Sequence, residues 1–177
     1  MIDLLIGAAL VAAAETPTET ASSAIARGMA AEEAGDGPAM LAAARSLEAL
    51  GAKPRDGEAD LAEHWRGLAL ARGIADKTPP VRGRALGPGY SRGTLPAGAA
   101  LSTEQVFLAG QKAEIALVPQ VGRNLAIRIS ARDKVICERA RAAPRVTCSW
   151  LPVFTNRVAI RVANQSREPA RFYLVSN

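Results

Sequence analysis

The sequence from Val106 to Asn177 contains the runs KAEIALV (112–118), NLAIRIS (124–130) and RVAIRVAN (157–164). In each run apolar and polar side chains alternate, as they do along a β-strand that is buried on one face. In the last run Ile160 and Val162 fall on one side and Arg161 on the other. The three runs therefore predict strands with one apolar and one solvent-facing side.

Turn-forming residues separate these runs at short and regular intervals. They are Gly110, Gly122, Asp133, Pro144 and Pro152. No stretch between them is long enough for a helix that could connect parallel strands. The spacing predicts an antiparallel sandwich or barrel.

The only two cysteines, Cys137 and Cys148, lie in strand-like runs. Alternation places Cys137 on the same face as Val135, and Cys148 on the same face as Val146 and Trp150. If the runs pair or face each other, both sulfurs point to one core. A disulfide is therefore expected if the protein is exported, and two buried free thiols are the alternative. Neither cysteine has a second Cys or His at ligand spacing, so no metal site is expected.

The C-terminal part, from about Leu95 to Asn177, resembles the bacterial pre-peptidase C-terminal domain family. The matching residues fit an F-x-x-G turn, a W-x-P turn, an I-R-V-x-N strand and a final tyrosine strand. These residues are Phe107, Gly110, Trp150, Pro152, Ile160, Arg161, Val162, Asn164, Tyr173 and Leu174.

The resemblance implies a jelly-roll-like β-sandwich that is secreted, is attached to a peptidase and binds carbohydrate or calcium. Where the family carries acidic side chains, however, this chain has Arg123, Asn124, Ala126, Arg128 and Ser130, and only Asp133 is nearby. Calcium requires several oxygen ligands, carboxylates among them. We therefore expect no calcium site, no other metal and no cofactor.

The first 14 residues are expected to be a signal peptide. Ile2–Ala14 is apolar but too short to cross a bilayer of about 30 Å as a helix, and it ends in small residues that suit a cleavage site. A positive n-region is missing, and an uncleaved first helix is the alternative. The expected location is the periplasm or the outside of a bacterial cell.

Residues 15–75 predict a short unit of about three helices. The first spans about 20–34, the second follows the N-cap Asp36 and stops at Gly51, and the third spans about 57–74. Residues 76–100, rich in proline and glycine, are expected to form a connector without regular elements, and residues 101–177 the sandwich. The fold class is thus α+β with the helices and strands segregated along the chain.

Charge divides the chain into two parts of opposite sign. Residues 15–78 contain 7 Lys or Arg and 11 Asp or Glu, a net charge of 7 − 11 = −4. Residues 79–177 contain 15 Lys or Arg and 5 Asp or Glu, a net charge of 15 − 5 = +10. Three explanations stay open. The two parts could dock through complementary fields, or the excess of arginine could reflect composition and a solvated surface. The third is an anion-binding face.

Such a face would contain the strand residues Arg128, Arg157 and Arg161. Further arginines near turns could extend it, namely Arg139, Arg141, Arg145, Arg167 and Arg171. Outside the cytoplasm its partner would be an anionic envelope polymer, a glycan or a protein. Nucleic acid is not expected, since aromatic residues are not interleaved with the basic ones.

No pattern of catalytic residues is present. His64 is the only histidine, no G-x-S-x-G motif occurs, and the carboxylates around Asp56 and Asp60 suit a helix N-terminus. The sequence therefore predicts an exported, non-enzymatic binding or accessory module of unknown ligand and oligomeric state. The alternatives are a sandwich that binds carbohydrate or anionic polymer and an accessory domain of a secreted peptidase.

Overall fold

The structure, a computed structural model, describes residues 18–55, 57–79, 86–122, 124–132, 134–142 and 144–177. The expected signal peptide lies outside these ranges. Three helices come first within them: α1 (Ala21–Ala34), α2 (Gly37–Ala49) and α3 (Leu61–Ala71). No helix in these ranges is both long and apolar enough to span a bilayer.

Short polar side chains start each helix, and Asp36 does so as the sequence predicts. The Ser23 amide donates to the Thr20 hydroxyl, and the Ala39 amide donates to the Asp36 carboxylate at 2.9 Å. Asp60 caps α3, which makes that helix shorter than the expected 57–74. Each cap satisfies an N–H group that has no partner within the helix.

The strands form two sheets. The middle sheet has the order β1-β2-β9-β4-β7 and the outer sheet the order β3-β8-β5-β6. Only β1 and β2 pair in parallel. The strands are β1 (Lys53–Pro54), β2 (Gly89–Leu95), β3 (Ala100–Phe107), β4 (Ala113–Val121), β5 (Leu125–Ala131), β6 (Lys134–Arg139), β7 (Val146–Trp150), β8 (Asn156–Asn164) and β9 (Ala170–Ser176).

The middle sheet lies between the helices and the outer sheet. On one face Ile115, Leu117 and Phe172 pack with apolar residues of the outer sheet, Ile127 and Ile160 among them. The other face packs against the helices. Its contributing residues are Tyr90, Ala116, Val118, Tyr173 and Val175. The predicted α+β segregation and β-sandwich are confirmed, and the helices add a third layer to it.

Two expectations about individual segments are wrong. β4 is buried on both faces rather than one, because the helices cover Ala116 and Val118. The stretch 76–100 was expected to contain no regular element, yet it includes β2, which pairs with β9 along seven residues. The backbone of β2 approaches an aromatic ring closely at Gly93, where an added Cβ would lie 2.3 Å from the Phe172 ring. A glycine is therefore required inside this strand.

Candidate functional site

The disulfide joins the two sheets at one edge. Cys137 in β6 is bonded to Cys148 in β7, with their Cα atoms 6.1 Å apart. Since β6 ends the outer sheet and β7 ends the middle sheet, the bond closes that side of the sandwich. The disulfide is thus present as expected.

One detail of the cysteine prediction is wrong. A bulge in β6 breaks the alternation between Cys137 and Val135. Cys137 pairs with the buried Ile129, whereas Val135 pairs with Ser130 and is exposed. An extra residue in one strand shifts every later side chain to the other face.

The three predicted arginines share the solvent side of the outer sheet, and we call this surface the arginine face. Arg128 of β5 lies directly opposite Arg161 of β8 in the strand register. Residues that lie directly opposite each other on antiparallel strands have Cα atoms about 5 Å apart. Arg157 lies four residues before Arg161 on the same strand, about 13 Å away along it.

Two of these arginines have exposed carboxylate neighbours. Arg157 lies 3.2 Å from Glu104, and Arg128 lies 3.8 Å from Glu138. Exposed pairs of this kind contribute little to stability, typically below about 1 kcal/mol. In the described part of the chain, Arg161 forms no ion pair. Its guanidinium group is therefore the least compensated of the three.

Small side chains surround the arginine pair. Register places Ser102 beside Arg161, Ala126 beside Ala163, and Ser130 beside Ala159 on the same face. None of these rises far above the backbone. Two longer side chains flank this patch, since Glu138 lies opposite Arg128 and Glu104 lies opposite Ala159.

The arginines near turns do not extend this face as a group. Arg171 projects from the helix side of the middle sheet, since it precedes Tyr173 by two residues on β9. Arg145 donates to the Thr20 hydroxyl at 3.4 Å, next to the start of α1. Arg139 of β6 pairs with the core residue Ile127 and so lies on the opposite side of its strand from Glu138, the residue that faces Arg128.

A second concave surface, which we call the junction cleft, lies where the helices end over the middle sheet. It has a volume of about 740 Å³. Residues of α1, of α3 and of the segment just before α3 line one side, which we call the wall, and residues of β2, β4 and β9 line the other side, which we call the floor. The cleft is lined by Met29, Glu32, Glu58, Ala59, Leu61, His64, Arg92, Thr94, Gln120, Arg171 and Tyr173.

Charges in the junction cleft are separated by sign. The wall carries Glu32 and Glu58, and the floor carries Arg92 and Arg171. The Tyr173 ring between them is 6% exposed. Burial raises the pKa of the Tyr173 hydroxyl, the nearby Glu32 and Glu58 raise it further, and the two arginines lower it. The hydroxyl therefore stays protonated at neutral pH and can donate a hydrogen bond.

Hydrogen bonds hold both carboxylates of the wall in place. Trp65 Nε1 donates to Glu32 Oε2 at 2.9 Å, and His64 Nε2 lies 3.1 Å from Glu32 Oε1. Burial alone would raise the pKa of Glu32, but these two contacts lower it below its ordinary value. The Arg92 amide donates to Glu58 Oε2 at 2.7 Å.

His64 contacts a carboxylate but no nucleophile. Its recorded side-chain partner is Glu32, and no described Ser, Thr or Cys is hydrogen-bonded to it. Trp65 is fully buried, and Trp150 packs edge-on against Phe107 with ring centroids 4.9 Å apart. Trp65 therefore presents no open face for stacking on a sugar, and Trp150 is partly buried against the core. The described residues also contain no group of three or more His, Cys, Asp or Glu that could hold a metal ion.

Sequence reasoning missed the junction cleft. Arg92 lies in the stretch taken for a connector, and Glu32 and His64 lie on different helices. One signal was present: in residues 171–173, RFY, alternation places Arg171 and Tyr173 on the face opposite Phe172. What that face meets depends on helix packing, which alternation does not reveal.

No protein family matches the sequence, and no curated protein matches it. Three solved structures are similar over about half of the chain. The pre-peptidase C-terminal domain of a collagenase from Bacillus anthracis has 8% identity over 50% of this chain and 87% of that chain, with a TM-score of 0.40. Its likeness is structural only, and membership of that family stays a prediction.

The other two are a periplasmic inhibitor of g-type lysozyme from Aeromonas hydrophila and a designed double-stranded β-helix. The inhibitor has 14% identity, covers 51% of this chain and 84% of its own, and has a TM-score of 0.39. The designed protein has 12% identity over 50% of this chain and 97% of its own chain, with a TM-score of 0.34.

Proposed function

We propose that this protein is an exported, non-enzymatic binding module that holds an anionic polymer on its arginine face. The observation that carries the proposal is the position of Arg128 directly opposite Arg161 on neighbouring strands. Like charges in such positions destabilise a sheet. A bound anion that bridges the two guanidinium groups would relieve this repulsion.

The chemistry of arginine suits carboxylate or phosphate groups. The planar guanidinium offers paired N–H donors that match two oxygens of one anion. Arg161 has no competing ion pair among the described residues, and the contact of Arg128 with Glu138 is long and exposed. Both side chains can therefore turn to a ligand at small cost.

Spacing favours a polymer over a single anion. Arg157 lies about 13 Å along β8 from the Arg128–Arg161 pair, with the small Ala159 between them on that strand. A chain with repeated anionic groups can contact both positions at once. Several weak contacts on one chain then add to a useful affinity.

The disulfide supports export. Disulfides persist in oxidising compartments such as the periplasm or the extracellular space, and are rare in a reducing cytoplasm. The non-enzymatic assignment is supported by the contacts of His64, which joins a carboxylate rather than a nucleophile.

Binding to immobilised polygalacturonate, a polymer of carboxylates, tests the proposal, with neutral dextran as the reference. The double variant Arg128→Gln/Arg161→Gln should bind at least about tenfold more weakly. The matched control Arg139→Gln/Arg167→Gln removes the same charge elsewhere on the sandwich and should stay within about twofold of the unaltered protein.

Equal weakening in both double variants would show that only net charge matters, and would overturn the arginine face. Equal binding of dextran and polygalacturonate would do the same. Turnover on panels of esters or glycosides would overturn the non-enzymatic assignment.

A further inference from the structure

Tyr173 is a buried residue whose side chain reaches the junction cleft. The side chain is more than nine-tenths buried, and it makes no hydrogen bond to any described residue. Tyr173 nevertheless lines the junction cleft. The hydroxyl is not among the buried polar atoms that lack a partner, so it is open to the cleft, and a ligand there can take the place of water as its acceptor.

Four charged side chains surround this hydroxyl closely enough to act on it. Arg92 and Arg171 lie on the strand side, and Glu32 and Glu58 lie on the helix side. The described ion pairs do not include any contact between the two sides, because Glu32 pairs with His64 and Glu58 accepts a backbone amide. Glu58 thus reaches the strand side through the Arg92 amide, while no described guanidinium group pairs with Glu32 or Glu58.

We propose that the junction cleft binds a small zwitterion with a free amino group and a free carboxylate, such as an amino acid or a short peptide. The carboxylate meets Arg92, Arg171 and the Tyr173 hydroxyl, and the ammonium group meets Glu32 and Glu58. This proposal is independent of the arginine face, which lies on the other side of the sandwich.

The arrangement selects against ligands with a single charge. A simple anion would be attracted by the arginines but repelled by the two carboxylates. A simple cation would be attracted by the carboxylates but repelled by the arginines. Specificity then comes from repulsion as much as from attraction. The carboxylates are also preset, since hydrogen bonds from Trp65 and His64 fix Glu32 before a ligand arrives.

The size of the cleft fits this class of ligand. Sites for small molecules usually have volumes of about 300–1,000 Å³, and this one has about 740 Å³. Met29, Ala59 and Leu61 add apolar surface to the wall beside the charged groups. A ligand with a short apolar side chain could therefore place it against the helices.

Titration of the purified full chain with alanine, alanyl-alanine and trialanine tests the proposal by calorimetry. At least one of the three should bind with a dissociation constant below about 10 mM. N-acetylation or C-terminal amidation of that ligand should each weaken binding about tenfold or more, because each removes one of the two charges.

Variants locate the binding in the cleft. Arg171→Gln should weaken it about tenfold, and Tyr173→Phe, which removes only the hydroxyl, should weaken it by a smaller but measurable factor. Arg167→Gln, a few residues away but outside the cleft, should leave it unchanged. In ¹⁵N-labelled protein, the amide shifts that move should centre on Arg92, Thr94 and Tyr173.

Three results would overturn the proposal. They are no binding of any of the three ligands, equal binding of the free and blocked forms, and shift changes that lie outside the cleft. A change in binding of polygalacturonate by Tyr173→Phe would contradict the independence of the two surfaces.

Discussion

A single glycine permits the closest packing between two helices. Gly28 of α1 faces the Trp65 ring of α3, and a Cβ atom at position 28 would lie 2.1 Å from that ring. Trp65 is fully buried, so the indole has little room to move away. Only glycine leaves the space that this tryptophan occupies.

Gly28→Ala should therefore destabilise the protein in spite of the better helix propensity of alanine. Overpacking of a buried site costs about 1–3 kcal/mol, while the gain in propensity is about 1 kcal/mol. We expect a net loss of up to about 2 kcal/mol in the free energy of unfolding, measured by urea unfolding followed through tryptophan fluorescence.

Gly67 of α3 provides the control, since a Cβ atom there would meet nothing within 4 Å. Gly67→Ala should keep the gain in propensity and stabilise the protein by up to about 1 kcal/mol. The same sign of change in both variants would contradict the packing described for Gly28.

At the scale of elements, Tyr90 ties the third helix to the middle sheet. The Leu61 amide at the start of α3 donates to the Tyr90 hydroxyl at 2.9 Å, and that hydroxyl lies 3.3 Å from Asp60 Oδ1. Burial is the main reason why the pKa of Tyr90 is raised. The hydroxyl thus acts as a neutral bridge between β2 and the cap of α3.

Tyr90→Phe should lower the free energy of unfolding by about 1–3 kcal/mol, because the Leu61 amide loses its buried acceptor. Tyr173→Phe removes a hydroxyl that makes no hydrogen bond to a described residue. It should change the free energy of unfolding by less than about 0.5 kcal/mol. Thermal and urea unfolding of both variants provide the comparison. A larger loss for Tyr173→Phe would mean that its hydroxyl has a structural rather than a ligand-binding role.

The disulfide between β6 and β7 closes a short loop with a sequence separation of 11. In the chain-entropy account a loop of this length contributes about 3 kcal/mol, through restriction of the unfolded chain. Cys137→Ala/Cys148→Ala should lose about this amount in urea unfolding. Reduction of the disulfide should lower the free energy of unfolding of the unaltered protein by the same amount. It should leave the stability of the double variant unchanged. No loss on complete reduction would show that the edge of the sandwich is held by packing alone.

Some elements could be predicted from the sequence because their signals are local. The helix caps Asp36 and Gly35, and the alternation of Val158, Ile160 and Val162, depend on residues close in the chain. The packing of the helices on β4 depends instead on residues that are distant in the chain. The continuous apolar run 115–118 is nevertheless typical of a strand buried on both faces. Strand β2 was missed because Gly93 reads as a turn signal, while its real reason is the Phe172 ring.

At the scale of the whole molecule, the acidic helices and the basic sandwich dock through apolar contacts. Within the described residues, no ion pair joins residues 18–79 to residues 86–177, although hydrogen bonds do. The buried surface is instead formed by residues such as Ile25, Trp65, Tyr90 and Val118. Of the three explanations for the charge division, complementary docking is thus the one with the least structural support.

This docking also creates the junction cleft, since the helices cover only part of the middle sheet. The arginine face could be found from the sequence, because strand alternation alone places Arg157 and Arg161 outside. The cleft could not, because it combines residues from two helices and three strands that meet only after folding. Loss of the helix–sheet contact would therefore remove the cleft and leave the arginine face in place.

The most direct test of this arrangement is a nuclear Overhauser measurement on the labelled full chain. The structure places the Leu61 amide nitrogen 2.9 Å from the Tyr90 hydroxyl oxygen. A strong cross-peak between the Leu61 amide proton and the Tyr90 ring protons is therefore expected. Absence of that peak, with both sets of signals assigned, would contradict the docking of the helices on the middle sheet.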